Sequence, residues 1–422
     1  METWKKNAIL MAVGRFSDSA DTQVLLYVIP LVIKLWHIDP LAVGLVGTAG
    51  SLGALLGSFF SGWVIDRIGR RNGFVIGNGF GGVIYLVAAA ATSWDQLIVA
   101  RFLMGLSVNM TILSFFAWLP DDVPAEKRGS VAGLTNIVSM CGTLSVPGLL
   151  AATAFLPWLS YQHFLIYVGA VDILSAILGL MFMKEPEEWK KSMEARKREK
   201  RAYSYVALVS TPERRKAFFI GLPIIALYGA YGLAQTASTF NTYFQSTVLK
   251  LSPSLVGTLG MVSTLVGTLI MTIMSAYSDR IGRLNLMILG SAVGAIGTLL
   301  CWHTPLLVGV GENFGVIAFY MVTLFLASLL TGGTENVNRL WFSELYPPEA
   351  RGSAQGITGV VKSVMMSVGQ TAIPFLVVPF SITGYALVPF VCAVVGLICC
   401  IGAKKAGFET IKRMRSVLKE KV

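Results

Sequence analysis

The sequence predicts an all-α polytopic membrane protein: twelve transmembrane helices in two six-helix, pseudo-symmetric halves. Three observations lead there. Of its 422 residues, 54% are hydrophobic and 14% charged, with a mean hydropathy of +0.67, whereas soluble domains carry about 25% charged residues. Uncharged runs of membrane-spanning length recur from end to end. Two charged loop motifs also occur twice, at matching places in the two halves.

A bilayer core about 30 Å thick takes roughly 20 apolar residues per helix. The first segment, 8–36, is apolar apart from Arg15, Asp18, Asp21 and Lys34. Uncharged runs follow over 40–65, 72–94, 102–120, 129–171, 217–249, 251–278, 284–311, 313–334 and 363–403. The runs 129–171 and 363–403 are interrupted by proline or polar turns and are long enough for two helices each.

The net charge of +11 is distributed by loop parity. Of 34 lysines and arginines, 28 fall in the N-terminus, the even-to-odd loops, the central linker and the tail. That bias puts both termini in the cytoplasm of a multi-pass protein in the cell membrane. The basic residues read as topology determinants facing anionic lipid, with no nucleic acid partner. The expected organisation is an N-terminal bundle over 1–183, a linker over 184–215, a C-terminal bundle over 216–403 and a tail over 404–422. The linker's alternating acids and bases suggest a surface helix over Glu185–Arg201. All five cysteines fall in spans without metal-ligand spacing, so neither a metal site nor a disulfide framework is expected. "GNGFGG" (77–82) superficially matches a dinucleotide loop, but it sits inside a span with no strand before it. Close helix packing through small residues explains it better. No catalytic triad or phosphate loop is present, so the chain does not read as an enzyme.

The halves repeat. Asp66-Arg67-Ile68-Gly69-Arg70 recurs as Asp279-Arg280-Ile281-Gly282-Arg283, 213 residues on. Residues 118–138 match 341–361 at an offset of 223, with nine identities in 21 positions. This second match pairs Asp121 with Glu344 and Arg128 with Arg351. The ten extra residues fit an outer loop around Thr304–Glu312. Repeats of this size are typical of transporters whose binding site lies near the midplane between them.

At these residues the chain resembles the major facilitator superfamily along nearly its whole length. Gly62, Asp66, Arg67, Gly69 and Arg70 resemble the superfamily's signature loop between helices 2 and 3; Asp279, Arg280, Gly282 and Arg283 resemble its partner between helices 8 and 9. Glycine allows the tight turn, arginine holds it inside, and Asp is suited to pairing across the bundle or capping a helix. The resemblance implies that these loops clamp the halves in the outward-facing state and release on the inward swing.

Ionisable residues inside spans cost about 2.5–3.5 kcal/mol each on insertion scales and are functional candidates by default. Here they are Arg15, Asp18, Asp21, Arg101, Asp172, Glu335, Arg339 and Lys362. In the superfamily, helices 1, 4, 7 and 10 line the cavity, which leaves Asp172, on peripheral helix 6, without an assigned role. At 1.5 Å per residue, Asp21 lies about 20 Å into helix 1, and Arg101 about 9 Å from the outer face. The two are expected to meet, either as a proton-coupling site tuned by the cation or as a static ion pair. "ARFLMGLS" (100–107) resembles helix 4 of sugar porters and aromatic acid:proton symporters. "FSDSADTQVLLYVIP" (16–30) resembles helix 1 of the latter, with Asp18 and Asp21 at the two acid positions and a serine where the family has glycine. In both families the second acid is linked to proton coupling. "ELYPPEARGSAQG" (344–356) and "EPEEW" (185–189) resemble further stretches of the same branch.

For the substrate, helix 7 offers Tyr228, Tyr231, Gln235, Asn241 and Tyr243 as a polar, aromatic cavity wall. Gln235 and Asn241 keep a sugar-porter spacing, but the intervening Gln and Gly are Thr236 and Thr239. Lys362 and Arg339 favour a carboxylate. Glu335 lies one turn before Arg339 and neutralises it, while Lys362 serves either the substrate or an ion pair with Asp18 or Asp21. The expected function is a secondary transporter that rocks two halves about a midplane site, by proton symport of a small organic, possibly aromatic, carboxylate. It needs no cofactor beyond the coupling proton and works as a monomer. A sugar or polyol symporter, a drug or organic-cation exporter and a non-transporting sensor stand as alternatives.

Overall fold

A computed structural model describes residues 3–124, 128–187, 189–190, 208–235, 239–329, 334–345 and 348–408. Fourteen long helices, and no strand, are found among the described residues. In the first half they are α1 (Thr3–Trp36), α2 (Pro40–Ile68), α3 (Arg70–Ala88), α4 (Trp94–Asp122), α5 (Arg128–Ala151) and α6 (Tyr161–Phe182). The second half holds α7 (Pro212–Gln235), α8 (Thr239–Thr247), α9 (Pro253–Ile281), α10 (Arg283–Trp302), α11 (Phe314–Ser328), α12 (Thr334–Glu344), α13 (Pro348–Phe380) and α14 (Ile382–Lys405). The pairs α7/α8 and α11/α12 each correspond to one span, so the architecture is twelve helices in two halves.

Helix ends follow local chemistry. Asp39 caps α2, its carboxylate accepting from the Ala42 N–H at 2.7 Å, with Pro40 at the first helical position. Asn313 caps α11 in the same way through Val316, at 3.0 Å. The inserted outer loop contains a short helix, Thr304–Leu307. Most of the linker, including the greater part of the expected helix over 185–201, lies outside the described residues. Glu185 itself is not helical.

The chain forms two compact units, Met1–Ala202 with Ser252–Met261, and Tyr203–Leu251 with Val262–Val422. The start of α9 belongs to the first unit because its glycines admit close approach: a Cβ on Gly257 would stand 2.5 Å from the Pro147 carbonyl oxygen. Within the first unit, α2 lies against α4 through small residues. A Cβ on Gly57 would meet the Leu106 carbonyl oxygen at 2.6 Å. Met11, Phe74, Phe115 and Trp118 belong to a core cluster of that unit. In the second unit, Ile224, Leu284, Met287, Trp341 and Phe342 do so. Outward side chains such as Val87, Leu180, Met181 and Leu269 remain exposed, as lipid-facing residues must.

Candidate functional site

The intramembrane charges of the first half gather in one place. On α1, Arg15, Asp18, Ser19 and Thr22 follow helical spacing and share one stripe. Arg15 Nη1 donates to Asp18 Oδ2, and its Nη2 donates to Ser139 Oγ of α5 at 3.3 Å. The Ser19 and Ser139 hydroxyls share a further hydrogen bond. The Phe115 ring of α4 lies 5.9 Å from the guanidinium carbon, within cation–π range.

The neighbouring stripe of α1 meets α6. Ser17 Oγ donates to Asp172 Oδ1, and the buried Asp172 and Asp21 carboxyls share one electrostatic neighbourhood. Asp172 is 1% exposed and Asp21 4%. Asp21 Oδ1 and Asp172 Oδ2 have no hydrogen-bond partner. Tyr85 of α3 donates to the Asp21 carbonyl at 3.1 Å, fixing the α1 backbone beside the pair.

Asp172 therefore corrects the expectation drawn from a peripheral helix. The glycine run that resembled a nucleotide loop supplies the reason. A Cβ on Gly81 would stand 3.3 Å from Asp172 Oδ2, and one on Gly82 2.9 Å from Asp172 Cβ. The missing side chains let α6 press its acid inward past α3.

A second correction concerns Asp21 and Arg101. They share one electrostatic neighbourhood, but no ion pair joins them. Arg101 lies across α2, where a Cβ on Gly50 would stand 2.5 Å from its Nε. The ion pair on α1 is instead Arg15–Asp18, at i,i+3 spacing.

At the helix ends beside the repeated loops the two motifs build matching collars. Gly69 and Gly282 adopt φ of +101° and +105°, a region that disfavours any side chain. The arginine after each glycine pairs with the acid ending the helix that precedes the next loop. Arg70 Nε meets Asp121 Oδ2 at 2.9 Å, and Arg283 Nη2 meets Glu344 Oε1 at 3.0 Å. Trp118 and Trp341, also matched in the repeat, are both fully buried.

Sequence reasoning missed Glu185. Its carboxylate accepts from the N–H groups of Arg70 and, at 3.1 Å, Arg71, capping α3 where the turn leaves donors open. Burial pushes the Glu185 carboxyl above the usual range, opposed by those N–H bonds and by the Arg70 and Arg71 charges. The signal was available: an acid directly after a span, opposite a positive helix start. A recess of about 810 Å³ opens here, lined by Arg71, Asn72, Asp122 and Glu185 among others and by none of the intramembrane charges.

In the second half, Asn241 and Tyr243 are buried, which corrects the expectation of an open cavity wall. Tyr320 donates to Asn241 Oδ1, and Gln245 Nε2 donates to the Tyr320 hydroxyl at 3.3 Å. Phe244 fixes the group against Trp302, with ring centroids 4.8 Å apart. Lys362 is half-buried on α13. The side chains of Asp66, Arg67, Arg128, Tyr228, Tyr231, Gln235, Asp279, Glu335, Arg339 and Arg351, together with Gly62, lie outside the described residues. No group of metal-ligating side chains occurs among the described residues.

The sequence pattern of the Major Facilitator Superfamily matches residues 11–370 and 227–408. The cis,cis-muconate transport protein of Acinetobacter baylyi is 25% identical over 381 residues, covering 89% of this chain and 88% of its own. The glucose transporter GlcP of Staphylococcus epidermidis is 23% identical over 406 residues, with 87% and 86% covered. Among solved structures, a D-xylose-proton symporter superposes with a TM-score of 0.72 at 16% identity, over 94% of this chain and 97% of that one.

Proposed function

The chain belongs to the Major Facilitator Superfamily, and from that premise we propose that this membrane transporter is a proton-coupled symporter of small organic carboxylates. It works by alternating access, as a monomer in the cell membrane with both termini cytoplasmic, and the proton is its coupling ion. The observation that carries this reading is the buried group formed by Asp21 and Asp172 beside Arg15 and Asp18. Two buried carboxyls that feel each other's charge hold one proton between them, because paired negative charges in a dry interior repel strongly. A structural ion pair leaves no such surplus acid. Four charged side chains at this depth cost many kcal/mol to insert, and moving protons is a use that repays them.

A muconate transport protein that aligns over nearly the whole chain supports an organic acid as cargo. The glucose transporter relative favours a second reading, hexose symport driven through the same acids. Hexose recognition needs polar side chains open to hydroxyls, whereas Asn241 and Gln245 are engaged with Tyr320 inside the second half.

The test is uptake into proteoliposomes under an inward proton gradient, with labelled benzoate, cis,cis-muconate and glucose. Wild type is expected to concentrate an acid, while Asp21→Asn and Asp172→Asn exchange it without concentrating it. Concentration of glucose and of neither acid would replace this reading with the second. Variants that concentrate the acid as well as wild type would remove the pair from coupling.

A further inference from the structure

Arg15 uses its guanidinium incompletely. A guanidinium has five N–H donors and presents Nε with Nη2 along one edge, spaced to meet both oxygens of a carboxylate. Asp18 takes Nη1. Along the other edge, Nε has no hydrogen-bond partner although it is buried, and Nη2 makes one long bond to Ser139. The side chain is 11% exposed. An unmade bond to a charged donor in such a place costs more than that of a neutral group. Asp18 is in the same condition, since its Oδ1 has no partner. The Phe115 ring holds the guanidinium plane from one side. The α1 stripe that begins at Arg15 ends at Thr22, which is exposed.

We propose that the Nε–Nη2 edge of Arg15, with Ser139, is the docking point for the substrate's carboxylate, and that docking there draws one proton onto Asp18. This rests on the carboxylate reading above and names the anchor within it. The charged and titratable groups of this neighbourhood are Arg15, Asp18 and Asp21 on α1, Asp172 on α6, Tyr85 on α3, and Arg101 on α4, which acts on Asp21 and Tyr85. Residues 129–151 of α5 contain no charged side chain. With one proton shared by Asp21 and Asp172, the two arginines and three acids sum to zero charge. An arriving carboxylate makes the group negative by one. One proton from the aqueous side, bound at Asp18 as its grip on Arg15 is divided and released through the Asp21–Asp172 pair, restores neutrality. The anion thus brings its proton with it, one per carboxylate.

The experiment measures binding of benzoate and cis,cis-muconate to the purified full-length protein in detergent, with proton uptake followed by an indicator dye in weak buffer. Benzamide serves as the uncharged isostere. Wild type takes up one proton per benzoate bound and ignores benzamide. Asp18→Asn removes the competing carboxylate, so it binds benzoate at least tenfold more tightly and takes up no proton. A purely structural Arg15–Asp18 pair predicts the reverse, weaker binding in a less stable protein. Ser139→Asp places a carboxylate on the Nη2 edge and is expected to fold and lose acid binding; it decides the matter if Asp18→Asn does not fold. Benzoate or muconate binding to Ser139→Asp at wild-type strength, or unimproved binding to a folded Asp18→Asn, would overturn the Arg15 anchor while leaving carboxylate symport intact. Wild type that binds glucose but neither acid would overturn both.

Discussion

Glutamine in place of Glu344 tests whether the collar pairs behave as buried ion pairs. Arg283 is 7% exposed at its side chain and Glu344 14%. Two nitrogens of the arginine address the two carboxylate oxygens, at 3.0 and 3.5 Å. Removing one charge from a buried pair costs about 3–5 kcal/mol, because the other is left uncompensated. The amide keeps one acceptor, which places Glu344→Gln near the lower end, about 3 kcal/mol. Asp121 is 24% exposed and contacts Arg70 through one nitrogen, so water reaches it. Exposed pairs contribute about 0–1 kcal/mol, which puts Asp121→Asn between the regimes, about 1.5–2 kcal/mol. The assay is equilibrium unfolding of the purified protein in mixed micelles of rising SDS fraction, read by the fluorescence of buried tryptophans such as Trp118 and Trp341. A double-mutant cycle between Arg283 and Glu344 separates the pair from its surroundings. A Glu344→Gln cost below about 1 kcal/mol, or a larger cost for Asp121→Asn, would refute the ranking by burial.

Two further outcomes follow from the same loops. Gly69→Ala and Gly282→Ala each force a side chain into a backbone region that costs about 1–3 kcal/mol. In Gly69→Ala the Cβ would also stand 2.5 Å from the Glu185 carboxyl, so adding Glu185→Ala is expected to relieve part of that loss in the same unfolding assay; no relief would mean that Glu185 does not occupy the cap. Burial raises the Glu185 carboxyl above its ordinary value, so the folded protein binds that proton more readily than the unfolded chain does, and folding gains as pH falls. Wild type should therefore gain stability relative to Glu185→Gln between pH 7 and 5, and a difference that moves the other way would show the carboxylate to be favoured by its N–H donors over its burial.

The features legible in the sequence are those that depend on neighbours along the chain. Glycine at 69 and 282 is demanded by a turn between two helices, and the positive φ appears at both. Run length gives the spans, since lipid imposes a minimum. Facing is the illegible part. A helix such as α6 is apolar on every side, so no stripe says which way Asp172 points. Its direction is set by Gly81 and Gly82 on α3, a contact between residues some 90 positions apart. Asn241 and Tyr243 were misplaced for the same reason: polar side chains on a span serve a cavity or an internal partner equally well, and Tyr320 decides it. The Arg15–Asp18 spacing is visible in the chain, yet Arg101, which resembles a family position, drew the pairing with the acids.

Divergence between the repeats sharpens the case for where the chemistry sits. The collars are duplicated down to Arg70 and Arg283, Asp121 and Glu344, Trp118 and Trp341, as expected of parts that both halves need. Carried back along helix 1, the 213-residue offset sets Tyr228, Tyr231 and Ala234 opposite Arg15, Asp18 and Asp21. At an offset of 223, Leu324 and Val395 stand opposite Arg101 and Asp172. All five charges of the proposed site are thus unmatched, so structural needs common to the two halves do not account for them. One position runs the other way. The first pair after the 118–138 match is Ser139 with Lys362. The register that the first half gives to the partner of Arg15 Nη2 is thus the register at which the second half carries a lysine.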